Sequence, residues 1–395
     1  MINEQYKKML EEKSIIRELS EFAVARGKEI GYENVFDYSL GNPSVPVPAK
    51  LTQVIIDLLQ TRDSVELHGY SPSLGIDFFK DKVAGSLNQR FGMDYTGSHI
   101  FPTAGAAGAV AHAVRCVTKP GDKVLVLAPF FPEYRFYVNL TGAELSVVPA
   151  NTVDFQIHFE KLEEMLTREV AAVLINTPNN PSGAVYSKET LKELAGLLYR
   201  KQKEYGRDIF LISDEPYREI VFGDVDAPYV SGFYDNTLSC YSFSKSLSLP
   251  GERIGYVAVN PRCRGGELIV PICGQISRGI GHNCPASLMQ LAVGEMLEER
   301  ADIQVYETNR DLLYKELTAL GFSCVKPGGT FYIFPKALEK DSVAFCKKAL
   351  AYDLVLVPSD SFGLPGYFRM AYCIDTEKVH RSLVPLRRFV EENYR

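Results

Sequence analysis

Between about residue 100 and residue 260 the chain repeats one pattern: a short apolar run, then a longer stretch with helical spacing, then another run. The runs are KVLVLA (Lys123 to Ala128), ELSVV (Glu144 to Val148), AAVLIN (Ala171 to Asn176), IFLISD (Ile209 to Asp214), LSCYS (Leu238 to Ser242) and IGYVAV (Ile254 to Val259). Near-continuous apolar strands of this length are buried on both faces, and most of the gaps between them, at 15 or more residues, are long enough for crossover helices. The pattern therefore predicts a mostly parallel sheet covered by helices. Only Phe243 to Arg253 separates the last two runs, too tight for a comfortable crossover, so IGYVAV is expected to run antiparallel.

The ends of the chain read differently. From Glu4 to about Lys28, Met9, Leu10, Ile16, Leu19 and Ala23 recur near helical spacing and predict one helix, closed by Gly27 and Gly31. Leu40 to Pro48 (LGNPSVPVP) must be extended, because three prolines restrict themselves and the residues before them. Ser287 to about Leu320 predicts one or two long helices ended by Gly321. Short apolar runs at Thr330 to Phe334 and Leu354 to Val357 then flank a helix near Ser342 to Ala351, and a terminal helix starts at about Glu377. The expected fold class is α/β. A large domain with a mixed, mostly parallel sheet spans 46–285, and an N-terminal helix and arm (1–45) joins a smaller α+β domain (286–395).

Lys and Arg total 43 against 49 for Asp and Glu, a net charge of -6 that argues against a nucleic-acid partner. The start of the chain is charged where a secretory signal needs an apolar run, and no apolar stretch is long enough for a membrane span. A cytoplasmic protein without membrane contact is expected. The eight cysteines are scattered, with no C-x-x-C pair and no Cys/His cluster, so they read as reduced core filler and no metal site is expected.

In open α/β sheets ligands sit beyond the carboxyl ends of the strands. Here KVLVLA is followed by Pro129-Phe130-Phe131-Pro132-Glu133-Tyr134, and AAVLIN by Thr177-Pro178-Asn179-Asn180. IFLISD ends in Asp214 and continues Glu215-Pro216-Tyr217, and LSCYS runs into Phe243-Ser244-Lys245. A strand-end Asp alone is commonly a helix cap, and a Lys alone a solvated charge. Their arrival along one edge, with an amide, rings and hydroxyls, points to a site. Thr103-Ala104-Gly105-Ala106-Ala107-Gly108-Ala109 opens a helix running to about Val117. Its bare N-terminal N–H groups suit a phosphate, while the same small residues also suit close helix packing. No G-x-G-x-x-G, G-x-x-x-x-G-K-[ST] or G-x-S-x-G sequence is present, which disfavours nucleotide binding and serine hydrolysis.

Ser242-Phe243-Ser244-Lys245 followed by Pro250-Gly251-Glu252-Arg253 resembles the lysine region of class I/II pyridoxal-phosphate-dependent aminotransferases, fold type I and aspartate aminotransferase-like. GNP at Gly41, HGY at Tyr70, the Gly105 loop, KPGD at Lys119, NNPSG at Asn180, SDEPY at Asp214, PGGTFY at Pro327 and FRMA at Arg369 follow in the family's order. The resemblance implies pyridoxal 5'-phosphate as cofactor, with Lys245 forming the Schiff base and then moving the proton. It places Asp214 against the pyridine nitrogen, Tyr217 and Asn180 on the phenolic oxygen, and Phe131 on the ring face. The phosphate falls to the Gly105 loop through the N–H groups of Ala106 and Ala107, to Ser242 and Arg253, and to Tyr70 of a neighbouring subunit, which implies a homodimer with shared active sites. The loop departs from the pattern in carrying Ala where many relatives have Ser, Thr or Lys. Arg369 would hold the substrate α-carboxylate with Gly41 and Asn42 closing over it, and Arg278 the distal carboxylate of an acidic substrate. The expected reaction is ping-pong amino transfer between an amino acid, aspartate or glutamate favoured, and a 2-oxo acid. The alternatives are aromatic amino acid transfer and a C–S β-lyase.

Overall fold

The computed structural model describes residues 2–11 and 14–395. Its centre is a seven-stranded sheet in the order Ile100–Thr103, Gly255–Val259, Thr237–Ser242, Phe210–Asp214, Val170–Asn176, Lys123–Leu127, Glu144–Val148. All six expected runs are strands within it. Gly255–Val259 pairs antiparallel with both neighbours, as the short connection requires, and the other pairings are parallel. The first strand, Ile100–Thr103, carried no readable signal.

Side-chain alternation explains why this sheet is covered twice. Val124, Val126, Ala172, Leu174 and Ile212 pack on one face with Val110 and Val114 of the helix Gly105–Val117 and Cys273 of the helix Ile269–Ile280. Leu125, Leu127, Val173, Ile175 and Leu211 pack on the other with Leu191, Leu194 and Leu198 of the helix Lys188–Tyr205. Ser187 caps that helix by accepting from the Thr190 N–H at 3.0 Å, and Gly206 ends it in the left-handed region at φ 63°. A separate core of Tyr38, Leu313, Phe331, Ile333, Phe345, Phe368 and Phe389 is assembled from both chain ends. There Phe36–Asp37 pairs with Leu354–Val355, and Tyr332–Ile333, Phe368–Ala371 and Val357–Pro358 form a small antiparallel sheet.

Two helical expectations are corrected. The N-terminal region is two helices, Glu4–Glu11 and Ile15–Ile30, because Ser14 is extended (φ -71°, ψ 107°) and starts the second; residues 12 and 13 lie outside the described residues. Gly27 does not end that helix. It is buried inside it, where a Cβ would collide with the Tyr32 ring, and Gly31 at φ 91° is the terminator. The 287–320 region is two helices, Ser287–Gly294 and Gln304–Ala319. No helix among the described residues is long and apolar enough to cross a membrane.

Candidate active site

The carboxyl ends of the parallel strands open into a cavity of about 570 Å³. Four adjacent strands deliver its floor. Thr237–Ser242 runs directly into the short helix Phe243–Ser246, which turns Lys245 inward; Ser242 caps that turn, its hydroxyl accepting from the Ser244 N–H at 3.1 Å. The Lys245 ammonium donates to the Gly41 carbonyl at 2.7 Å and lies 5.5 Å from the Phe331 ring centroid. Burial depresses its pKa to about 8; Cys373 opposes this, and the guanidinium charges of Arg253 and Arg369 add to it.

Asp214 ends the neighbouring strand with its carboxylate buried. One oxygen, Oδ2, accepts from the Tyr134 hydroxyl at 2.5 Å, and the other, Oδ1, has no hydrogen-bond partner. Burial raises its pKa to about 7, against the Tyr134 hydrogen bond and with help from Glu215. The next strand ends in Asn176, whose amide donates to the Asp214 carbonyl at 2.8 Å and whose Oδ1 accepts from the Asn180 N–H at 2.7 Å. Asn180 Oδ1 in turn accepts from Arg369 at 3.1 Å. Arg369 is fully buried between the rings of Tyr332 (4.6 Å) and Phe362 (5.2 Å), donates to the Ser39 carbonyl at 2.5 Å, and keeps Nε unpartnered. A buried, unspent guanidinium edge is a carboxylate receptor. Tyr217 shares a 3.1 Å hydrogen bond with Tyr332 across the cavity.

At the far end, Gly105 adopts φ 76° and sits so close to Arg253 that a Cβ would lie 2.9 Å from its Nη2. Arg253 is itself left-handed at φ 50° and donates to the carbonyls of Pro250 (2.8 Å) and Ala104 (3.2 Å). This conformation costs about 1–2 kcal/mol for a non-glycine residue, and it sets the guanidinium beside the first N–H groups of the helix Gly105–Val117. The small residues also serve close packing here, because Gly255 lies directly on Gly105.

The sequence profile of "Aminotransferase class I and II" matches residues 33–384. The chain belongs to this family. A solved amino transferase from Eubacterium rectale is 43% identical, with TM-score 0.97 and both chains covered completely. An aspartate aminotransferase from Thermotoga maritima is 28% identical over 95% of this chain and 99% of its own, and an aromatic-amino-acid aminotransferase from Thermococcus litoralis 27% over 92% and 93%. The protein is a pyridoxal-phosphate-dependent aminotransferase, and the cavity fits that cofactor. The unpartnered Asp214 Oδ1 suits a protonated ring nitrogen, Lys245 an aldehyde, and the bare helix start with Arg253 a phosphate.

Of the residues expected in this aminotransferase's site, Gly41, Ala106, Ala107, Phe131, Asn180 and Asp214 line the one cavity, together with Tyr217, Ser242, Lys245, Arg253 and Arg369. Gly105 stands directly behind the lining. Asn42 is exposed and outside it. Tyr70 is fully exposed, in a separate cleft with Asn283 and Pro285, and Arg278 is exposed on the last turn of the helix Ile269–Ile280. Within one chain neither reaches Lys245's cavity. Sequence reasoning gave no role to Tyr134 or to Tyr332 of PGGTFY, and missed the wall formed by Ser14 with Ile16, Arg17 and Ser20 of the second helix. Tyr134 had one signal, its place just beyond a strand end.

Proposed function

We propose that this aminotransferase moves an amino group between an acidic amino acid, aspartate or glutamate, and a 2-oxo acid in two half-reactions, as a cytoplasmic homodimer. The convergence of Lys245, the open Asp214 Oδ1 and the open Arg369 Nε in one cavity carries the reading. The bound cofactor supplies a ring that accepts the electrons left at the substrate Cα when its proton departs. Lys245 carries the cofactor and then moves that proton, for which its depressed pKa suits it near neutral pH.

Asp214 holds the ring nitrogen in its charged form. Tyr217 and Asn180 would hold the cofactor's phenolic oxygen, and Phe131 would cover its ring. Ala106 and Ala107 through their N–H groups, Ser242 and Arg253 hold the phosphate, with Gly105 giving them room and Tyr70 of a second copy completing the shell. Arg369 would take the substrate α-carboxylate with Gly41 above it, which fixes the Cα–H bond; Asn42 stays outside the cavity. Arg278 of the second copy reads the distal carboxylate. The name of the Thermotoga relative supports the acidic substrate. Residues 46–285 act as the cofactor-binding domain, and 1–45 with 286–395 as the part that covers it.

A half-reaction screen tests this: each amino acid is added to the holoenzyme and the loss of its visible absorbance timed. Aspartate and glutamate are expected to be fastest and to slow in Arg278→Ala. If they are slowest, or indifferent to that change, the acidic assignment fails. Pyruvate and ammonia from cystathionine, without any 2-oxo acid, would show a lyase instead.

A further inference from the structure

Two half-reactions pass through one cavity, so this enzyme must hold two different side chains in the same space. Asp214, Lys245, Arg253 and Arg369 are committed to cofactor and substrate head. Three charged side chains remain in the lining, and all lie on its outer wall: Arg17 and Glu21 from the helix Ile15–Ile30, and Glu133 from the loop after Lys123–Leu127. Arg17 and Glu21 are both exposed to solvent. Glu133 is half-buried, and among the described residues its carboxylate makes no hydrogen bond and no ion pair. Burial raises its pKa, with the charge of Arg17 opposing. The Arg17 guanidinium likewise has no hydrogen-bonded or ion-paired partner among the described residues.

Both groups therefore face the cavity with hydrogen-bonding capacity unspent, and the charge of Arg17 reaches Glu133. Ile16, Val110 and Tyr137 add apolar surface to the same cavity. Leu19, Ala23 and Gly27 bury the back of the helix, and Arg26 bonds Asp353 at 2.8 Å.

A substrate ending in a carboxylate would meet Arg17 but be repelled by Glu133, and one ending in an ammonium would meet the reverse. A hydrocarbon end would desolvate Glu133 and give it nothing. A group with both an acceptor and a donor satisfies both side chains. We propose that Arg17 and Glu133 form a second side-chain subsite, supplied by the same chain as Lys245, for a substrate ending in a carboxamide, of which glutamine is the type. The acidic substrate is then served by Arg278 and the amide substrate by this pair. The inference rests on the aminotransferase reading with Arg369 as the α-carboxylate anchor.

The test is calorimetric titration of the holoenzyme with three carboxylates that lack the amine and so cannot react: glutaric acid monoamide, glutarate and pentanoate. The wild-type enzyme is expected to bind the monoamide about tenfold more tightly than pentanoate, the effect of a hydrogen bond to a charged group. Glu133→Gln and Arg17→Met should each remove most of that preference and leave pentanoate unchanged, which also shows that the variants are folded. Glu133→Gln should in addition strengthen glutarate, and raise KM for glutamine without lowering its kcat. A monoamide preference that survives both substitutions overturns the proposal. Pentanoate binding that survives Arg369→Ala removes the anchor, and the subsite falls with it.

Discussion

Asp214 shows how a single buried carboxylate is made ready. Its pKa stands near 7 in the chain without cofactor against 3.8 for an ordinary Asp, so between those values the folded chain binds more protons than the unfolded one. Stability is then lost as pH rises through that window, up to roughly 4 kcal/mol. Urea unfolding of the apoenzyme should accordingly show Asp214→Asn gaining on the wild type from pH 4 to pH 8, and a parallel pair of curves would refute this. Tyr134 opposes the rise by donating to Oδ2 at 2.5 Å. In the same apoenzyme titration, Tyr134→Phe should move the pH at which the Asp214 contribution is lost upward by about one unit, the order of one hydrogen bond to a charged group. Glu215, buried and ion-paired with Arg218 at 2.8 Å, adds to the rise at Asp214 through its charge, while burial raises its own pKa as well. That influence was invisible in the sequence, because Glu215 and Arg218 are ordinary surface residue types until burial forces them to pair.

Among elements, the parallel strands were legible because burial on both faces leaves no polar alternation, as in Val170–Asn176. Ile100–Thr103 was not: it is four residues long and contains Pro102, which an edge strand tolerates and a central one does not. Lys245, Asp214 and Asn180 could be set along one sheet edge because each ends or follows an apolar run, whereas Arg369 was named only through the resemblance of FRMA to the family. The wall of Ser14, Ile16 and Arg17 could not be read, since only the packing of Leu19 and Ala23 decides which face of that helix meets the cavity. The helix start at Gly105 carries the sharpest element-level prediction. Gly105→Ala adds left-handed strain and pushes on Arg253, so equilibrium dialysis should find cofactor affinity about tenfold weaker, with the fold intact by circular dichroism. Unchanged affinity would mean that this helix start does not hold the phosphate.

At the scale of the whole molecule, both chain ends come back to close over the sheet, and Ser39 and Gly41 meet Arg369 and Lys245 there. Tyr70 and Arg278 stay outside, which is why the proposed enzyme is a dimer. Sedimentation should give twice the 44.1 kDa chain mass. Mixing Lys245→Ala with Tyr70→Ala subunits should regenerate one intact site per mixed dimer, about a quarter of all sites for random pairing. Activity that stays at the Tyr70→Ala level would deny shared sites. Everything is arranged around one amine, and borohydride reduction of the holoenzyme followed by peptide mapping reports on it. The cofactor should be found fixed to Lys245 alone; a label on any other residue, or none, would contradict the mechanism.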